Sequence, residues 1–138
     1  MNYYAVIDTN VVVSSFLKKG SVPDQVISYV MDGPITPFLN EEIINEYREV
    51  LLRNKFGVDP QIVERFIDDI TKRAYFLDRT PTGEKLLDND DVVFYEITLT
   101  ARESKDAYLV TGNTRHFPKE PFIVTPREML EIIEKGSN

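Results

Sequence analysis

The sequence predicts an α/β protein, a three-layer α/β/α sandwich around a mainly parallel sheet of about five strands. Three observations predict it. Short β-rich runs recur along the chain, at 3–7, 35–39, 74–77, 106–113 and 121–126. Between most of them lie longer segments with apolar residues at the helical period. Proline, glycine, asparagine and aspartate punctuate the joints. Strands alternating with helices place a largely parallel sheet between helical layers.

The elements follow in order. The run "YYAVI" reads as a buried strand, and Asn10 or Thr9 is placed to cap a helix over 11–17 that Gly20 closes. Pro23 suits the first turn of a second helix reaching Met31, which Gly33-Pro34 breaks. A second strand spans 35–39. Asn40 then caps "EEIINEYREVLLRNKF", with Ile43, Ile44, Tyr47, Val50 and Leu51 on one face. Its first turn is acidic and Arg53 and Lys55 fall in its last, as the macrodipole prefers; Gly57 ends it. Asp59-Pro60 opens a helix with Ile62, Val63, Phe66, Ile67 and Ile70 inward, followed by a short strand at 74–77. "RTPTGEKLLDNDD" is a loop. A helix over about 91–103 turns Val93, Phe94, Ile97 and Ala101 inward. "DAYLVTGN" and "PFIVTP" are strands, and Pro126 starts a last helix over 126–134.

Composition bounds the function. The 138 residues have the size of one domain, 1–138, with no internal repeat or linker. The hydrophobic share of 42% and charged share of 28% are those of a soluble globular chain. No cysteine is present, which excludes a disulfide framework and a thiolate metal site and fits a cytoplasmic location. No apolar run approaches the ~18 residues of a membrane span, and the first residues lack the pattern of a signal peptide. The net charge of −7 argues against holding nucleic acid over the whole surface. Clustered carboxylates that bind divalent cations reverse the local sign, so their placement matters.

In parallel sheets, sites form at the carboxyl ends of strands. Asp8 sits at the first exit and Asn113 at the fourth; Asp88, Asp90 and Asp91 lie just before or at a helix start. Glu46 stands three residues after Ile43 and four before Val50, at the border of the buried stripe, with Glu42 one turn earlier. Each has an ordinary structural reading. Asp8 suits a cap or an Asx turn, the acids 88–91 a helix start, Glu46 a solvated edge, and Asn113 a turn. His116, the one histidine, suits a hydrogen bond within "NTRHFP". Together, acids from separate segments at one sheet rim repel unless neutralised. An all-oxygen set suits Mg²⁺ or Mn²⁺.

The ordered set "VIDTNVVVSSF", "NEEIINEYREVLLRNKF", "DNDDVVFYEI" and "YLVTGNTRHFP" followed by "FIVTPREML" resembles the PIN-domain nucleases over nearly the whole chain. It is most similar to bacterial members that are toxin components of toxin–antitoxin pairs. The resemblance implies a PIN-like fold and a metal-dependent endoribonuclease. Three or four acidic residues bind the metal in the family; here they map to Asp8, Glu46 and Asp91, with Asn113 at a fourth position where many members carry aspartate. Asp88 or Asp90 stands within reach of the same role. The expected cofactor is Mg²⁺ or Mn²⁺. The expected partners are an RNA substrate, an antitoxin protein and a second copy of the chain, with no membrane.

The chemistry implied is hydrolysis of an RNA phosphodiester, which needs no protein nucleophile. Lys18, Lys19, Arg48, Arg53, Arg115 and His116 are candidates for backbone contact. Two other readings stand beside this one. A non-catalytic PIN-like module would bind RNA or a protein without cleaving, a reading that Asn113 and the acidic charge favour. A phosphatase of the haloacid dehalogenase type also begins with an aspartate after its first strand, but wants a second two residues later, where Asn10 stands.

Overall fold

The computed structural model describes residues 2–83, 85–86 and 89–136. Strands β1 (Tyr3–Ile7), β2 (Ile35–Leu39), β3 (Tyr75–Phe76), β4 (Ala107–Val110) and β5 (Ile123–Val124) form one sheet in the order β3-β2-β1-β4-β5. Every pairing is parallel. The α-helices among the described residues are α1 (Thr9–Leu17), α2 (Val22–Asp32), α3 (Glu41–Leu51), α4 (Pro60–Arg73), α5 (Val92–Arg102) and α6 (Pro126–Gly136). The α/β/α architecture expected from the sequence is the one observed.

The chain steps outward from β1 through β2 to β3, then returns to β4 on the other side of β1. Right-handed crossovers therefore put α5 on the face opposite α1–α4. Both faces of the central strands are covered, so Ala5, Val6, Ile7, Leu109 and Val110 are all fully buried. In register, Val6 pairs with Leu109 and Ile7 with Val110. The point where the strand order reverses lies between β1 and β4, and both strands leave the sheet there side by side.

Several local expectations need correction. The helix opened by Asn40 stops at Leu51; Asn54–Phe56 form a separate 3-10 turn, which Gly57 closes at φ +62°. Arg53 and Lys55 therefore lie beyond α3 and not in its last turn. Tucking half-buried Phe56 against the core bends the chain away from the helix path. Ile62 is 47% exposed, while Val63, Phe66, Ile67 and Ile70 carry the buried face of α4. The later strands are shorter than the apolar runs that contain them: β4 and β5 pair only through Leu109 with Ile123 and Val110 with Val124.

Candidate active site

Asp8 leaves the sheet at the end of β1 and is 4% exposed. It holds the N-cap position of α1, yet its side chain makes no capping hydrogen bond to the N–H groups further into the helix. The helix-cap reading fails for the carboxylate, which turns instead toward β4. Its Oδ2 accepts from Thr111 Oγ at 2.7 Å and from Asn10 Nδ2 at 3.0 Å. Thr111 Oγ in turn accepts from the Asn113 N–H at 3.0 Å. Asn10 Oδ1 accepts from the Gly112 N–H at 2.9 Å. A Cβ at Gly112 would stand 3.3 Å from that oxygen, so the glycine of "TGN" admits the close approach. Asn10 and Thr111 thus clamp Asp8 between the two strand exits.

Helices from the two sides of the sheet meet beyond its carboxyl edge. The buried Tyr47 hydroxyl of α3 donates to the Ile7 carbonyl, and the Tyr47 and Phe94 rings lie 6.4 Å apart. Fixing Tyr47 fixes Glu46, its half-buried neighbour. Asp90 and Asp91 come from a 3-10 turn (Asn89–Asp91) ahead of α5, and Asp91 Oδ2 lies 3.3 Å from His116 Nδ1. The His116 backbone N–H bonds within its own turn, to the Asn113 carbonyl at 3.0 Å, while its side chain reaches across the site.

These residues surround one open cleft of about 370 Å³. Asp8, Glu46, Asp90, Asp91, Asn113 and His116 line it together with Asn10, Arg53, Phe56 and the apolar Val13, Val50 and Phe94. Glu46 and Asp8 thus face the same space. Of the six cationic candidates only Arg53 and His116 line it; Arg48 is paired with Glu64 at 2.9 Å, and Lys19 and Arg115 face other cavities. Asp88 lies outside the described residues.

Electrostatics reflect the crowding. Burial, augmented by the charge of Asp91, pushes the Asp8 carboxyl up to about 6, although the Thr111 hydroxyl, the Thr9 N–H and the Asn10 amide oppose it. Glu46 is raised by burial and then by the charge of Asp90, with Arg53 opposing. Burial also holds the Tyr47 phenol well above its ordinary range, so it stays a donor.

The donor set is all oxygen, which fits a hard divalent cation. Among the described residues, no three Asp, Glu or His side chains close on a single point tightly enough to hold an ion by themselves.

Two groups of residues escaped the sequence reading. Thr111 is fully buried, and its only signal was a threonine at a strand exit. Glu96 is 3% exposed and straps down the loop that leads to Asp90 and Asp91: it accepts from the Thr82 N–H at 2.7 Å and from Arg79 at 3.2 Å, and Arg79 Nε reaches Glu42 at 3.1 Å. Its position three residues after inward-facing Val93 was the available sign.

Thr111→Val should leave the fold intact but deprive the Asp8 carboxylate of its shortest hydrogen bond. The expected loss is roughly 1–3 kcal/mol at neutral pH, with the Asp8 pKa moving further up. Denaturant melts and a carboxyl-carbon NMR titration check both; an unmoved Asp8 titration would show that Thr111 only fills space.

In open parallel α/β sheets ligands bind at the carboxyl edge where the strand order reverses, which here lies between β1 and β4 beside the buried Asp8. The model of the PIN domain matches residues 4–115, and the chain belongs to that family of nucleases. A chain of VapBC2 from Rickettsia felis, in a crystal structure with a DNA fragment from their promoter, has the same fold. The TM-score is 0.56 at 13% identity, over 88% of this chain and 96% of that one. No curated protein matches the sequence. Among the described residues no helix is long and apolar enough to cross a membrane.

Proposed function

We propose that the protein is a divalent-metal-dependent endoribonuclease that hydrolyses RNA phosphodiesters in the cytoplasm, as the toxin of a toxin–antitoxin pair. The observation that carries this reading is the gathering of Asp8, Glu46, Asp90 and Asp91 around one cleft at the sheet's switch point. Membership of a nuclease family and the motif resemblance to toxin components support it. The fold likeness to a VapBC2 chain supports an antitoxin protein as partner.

Asp8, Glu46, Asp91 and Asn113 are the residues that would hold Mg²⁺ or Mn²⁺. When bound, such an ion supplies positive charge for the scissile phosphate and lowers the pKa of an attacking water. The chain's own residues do the rest. Asn10 and Thr111 orient the Asp8 carboxylate and keep one of its oxygens occupied. Glu46 and Asp91 face it from the two helical layers. Four acids against Arg53 and His116 leave the cleft negative, so the protein alone repels a phosphodiester and admits it only with cations present.

Cleavage of single-stranded RNA should require Mg²⁺ or Mn²⁺ and stop in chelator. Equal cleavage in chelator would overturn the metal role. RNA binding without cleavage in any divalent ion would favour the non-catalytic module, which the amide at position 113 makes the second reading.

A further inference from the structure

We propose that Phe56 and Arg53 form a nucleotide subsite beside the carboxylates, with the Phe56 ring taking an unpaired RNA base and Arg53 the adjoining phosphate. The proposal rests on the ribonuclease reading and specifies its substrate as a single strand.

Glu46, Val50 and Arg53 follow one another at spacings of four and three residues and all line the cleft. Glu46 and Val50 belong to α3 and Arg53 to the turn that follows it, so the wall runs from the helix into that turn. The wall therefore changes from acid to aliphatic to cation and aromatic along its length. Phe56 is half-buried, and the neighbouring Val13 and Val50 make that wall apolar. Besides packing against the core, Phe56 lines the cleft on one side and, on the other, an apolar groove with Phe16, Ile27 and Phe66.

Charge is arranged around the ring. Lys55 Nζ lies over the ring, 5.1 Å from its centroid, where a base stacking on that face would displace it, and Arg53 is two residues from Lys55. Arg53 is exposed and, among the described residues, pairs with exposed Glu49 at 3.3 Å, a surface pair that a phosphate can displace at little cost. An aromatic face flanked by cations is the arrangement that holds single-stranded nucleic acid, since every base offers a face to stack. The groove beyond Phe56 carries Asp24 and Asp59 beside Lys19, which repels a continuing backbone and limits the subsite to one nucleotide.

The chain has no tryptophan, so Phe56→Trp places a single indole reporter at the proposed stacking face. The probe is a phosphorothioate-linked oligoribonucleotide, titrated in Mg²⁺ against the full chain. Stacking predicts quenching of the indole emission and affinity equal to or tighter than wild type. Phe56→Ala should weaken binding about 5- to 100-fold, and an oligonucleotide abasic at the contacted position should not distinguish Phe56→Ala from wild type. A fully paired duplex should bind worse than the single strand. Unquenched indole emission at saturation, or unchanged affinity in folded Phe56→Ala, overturns the subsite while leaving RNA cleavage by wild type standing. If Phe56→Ala does not fold, the quenching decides. If wild type neither binds the oligonucleotide nor cleaves RNA, the ribonuclease reading falls and the subsite with it.

Discussion

Asp8→Asn should lower RNA cleavage by on the order of 10³ or more and, in chelator at neutral pH, make the protein more stable than wild type. The first effect follows from removing the most buried charge that would face the metal, where cation stabilisation is worth several kcal/mol. The second follows from linkage. Below pH 3.8 the Asp8 carboxyl is protonated in folded and unfolded chains alike and costs nothing. As pH rises toward about 6, the folded protein holds a proton that the unfolded chain has released, so stability falls with pH across that window and stays reduced above it. The shift from 3.8 to about 6 corresponds to about 3 kcal/mol. Asparagine keeps an oxygen for Thr111 and Asn10 but turns an NH₂ toward the Thr9 N–H, which trims the gain. Melts in chelator at pH 4 and pH 8 should show the variant's advantage only at the higher pH. A wild type more stable than the variant at pH 8 in chelator would mean that Asp8 is satisfied without a cation. Full cleavage by the variant would remove Asp8 from the chemistry.

Asn113→Asp should tighten Mn²⁺ binding by about tenfold or more, because hard cations bind more strongly as ligand charge rises. The position lines the cleft and its backbone N–H is fixed on Thr111, so the new carboxylate enters the existing set without rebuilding the turn. Asn113 is exposed. Solvent therefore screens most of the added repulsion, and the melting temperature in chelator should fall only slightly. Calorimetric titration of Mn²⁺ into both proteins decides the matter; equal affinities would make Asn113 a turn residue that borders the site without serving it.

Much of the fold was legible because its signals are local. The apolar periodicity of α3 and α4, the Asn40 cap whose Oδ1 accepts from the Ile43 N–H, and the breaker at Gly33-Pro34 all depend on residues within one or two turns. The acids at strand exits were legible for the same reason: a charge after a buried strand needs a special environment whatever the rest of the chain does. The end of α3 was not legible, since "LLRNKF" satisfies the helical period and only the packing of Phe56 bends it away.

What the sequence by itself determined is therefore the alternation of elements and the residue types at each strand exit. Only the tertiary structure decided how those exits face one another. Thr111 reaches Asp8, and Gly112 reaches Asn10, because the return of the chain from β3 sets β4 directly beside β1. Glu96 became buried because a loop fourteen to seventeen residues upstream folds over it. Arg53 and His116 face the carboxylates while Arg48 turns to Glu64, though nothing in their own neighbourhoods separates them. The physical reason is common to all of these. Period and capping are set by contacts a few residues apart, whereas burial of a polar group and the choice of its partner depend on which distant segments the sheet order brings into hydrogen-bonding range.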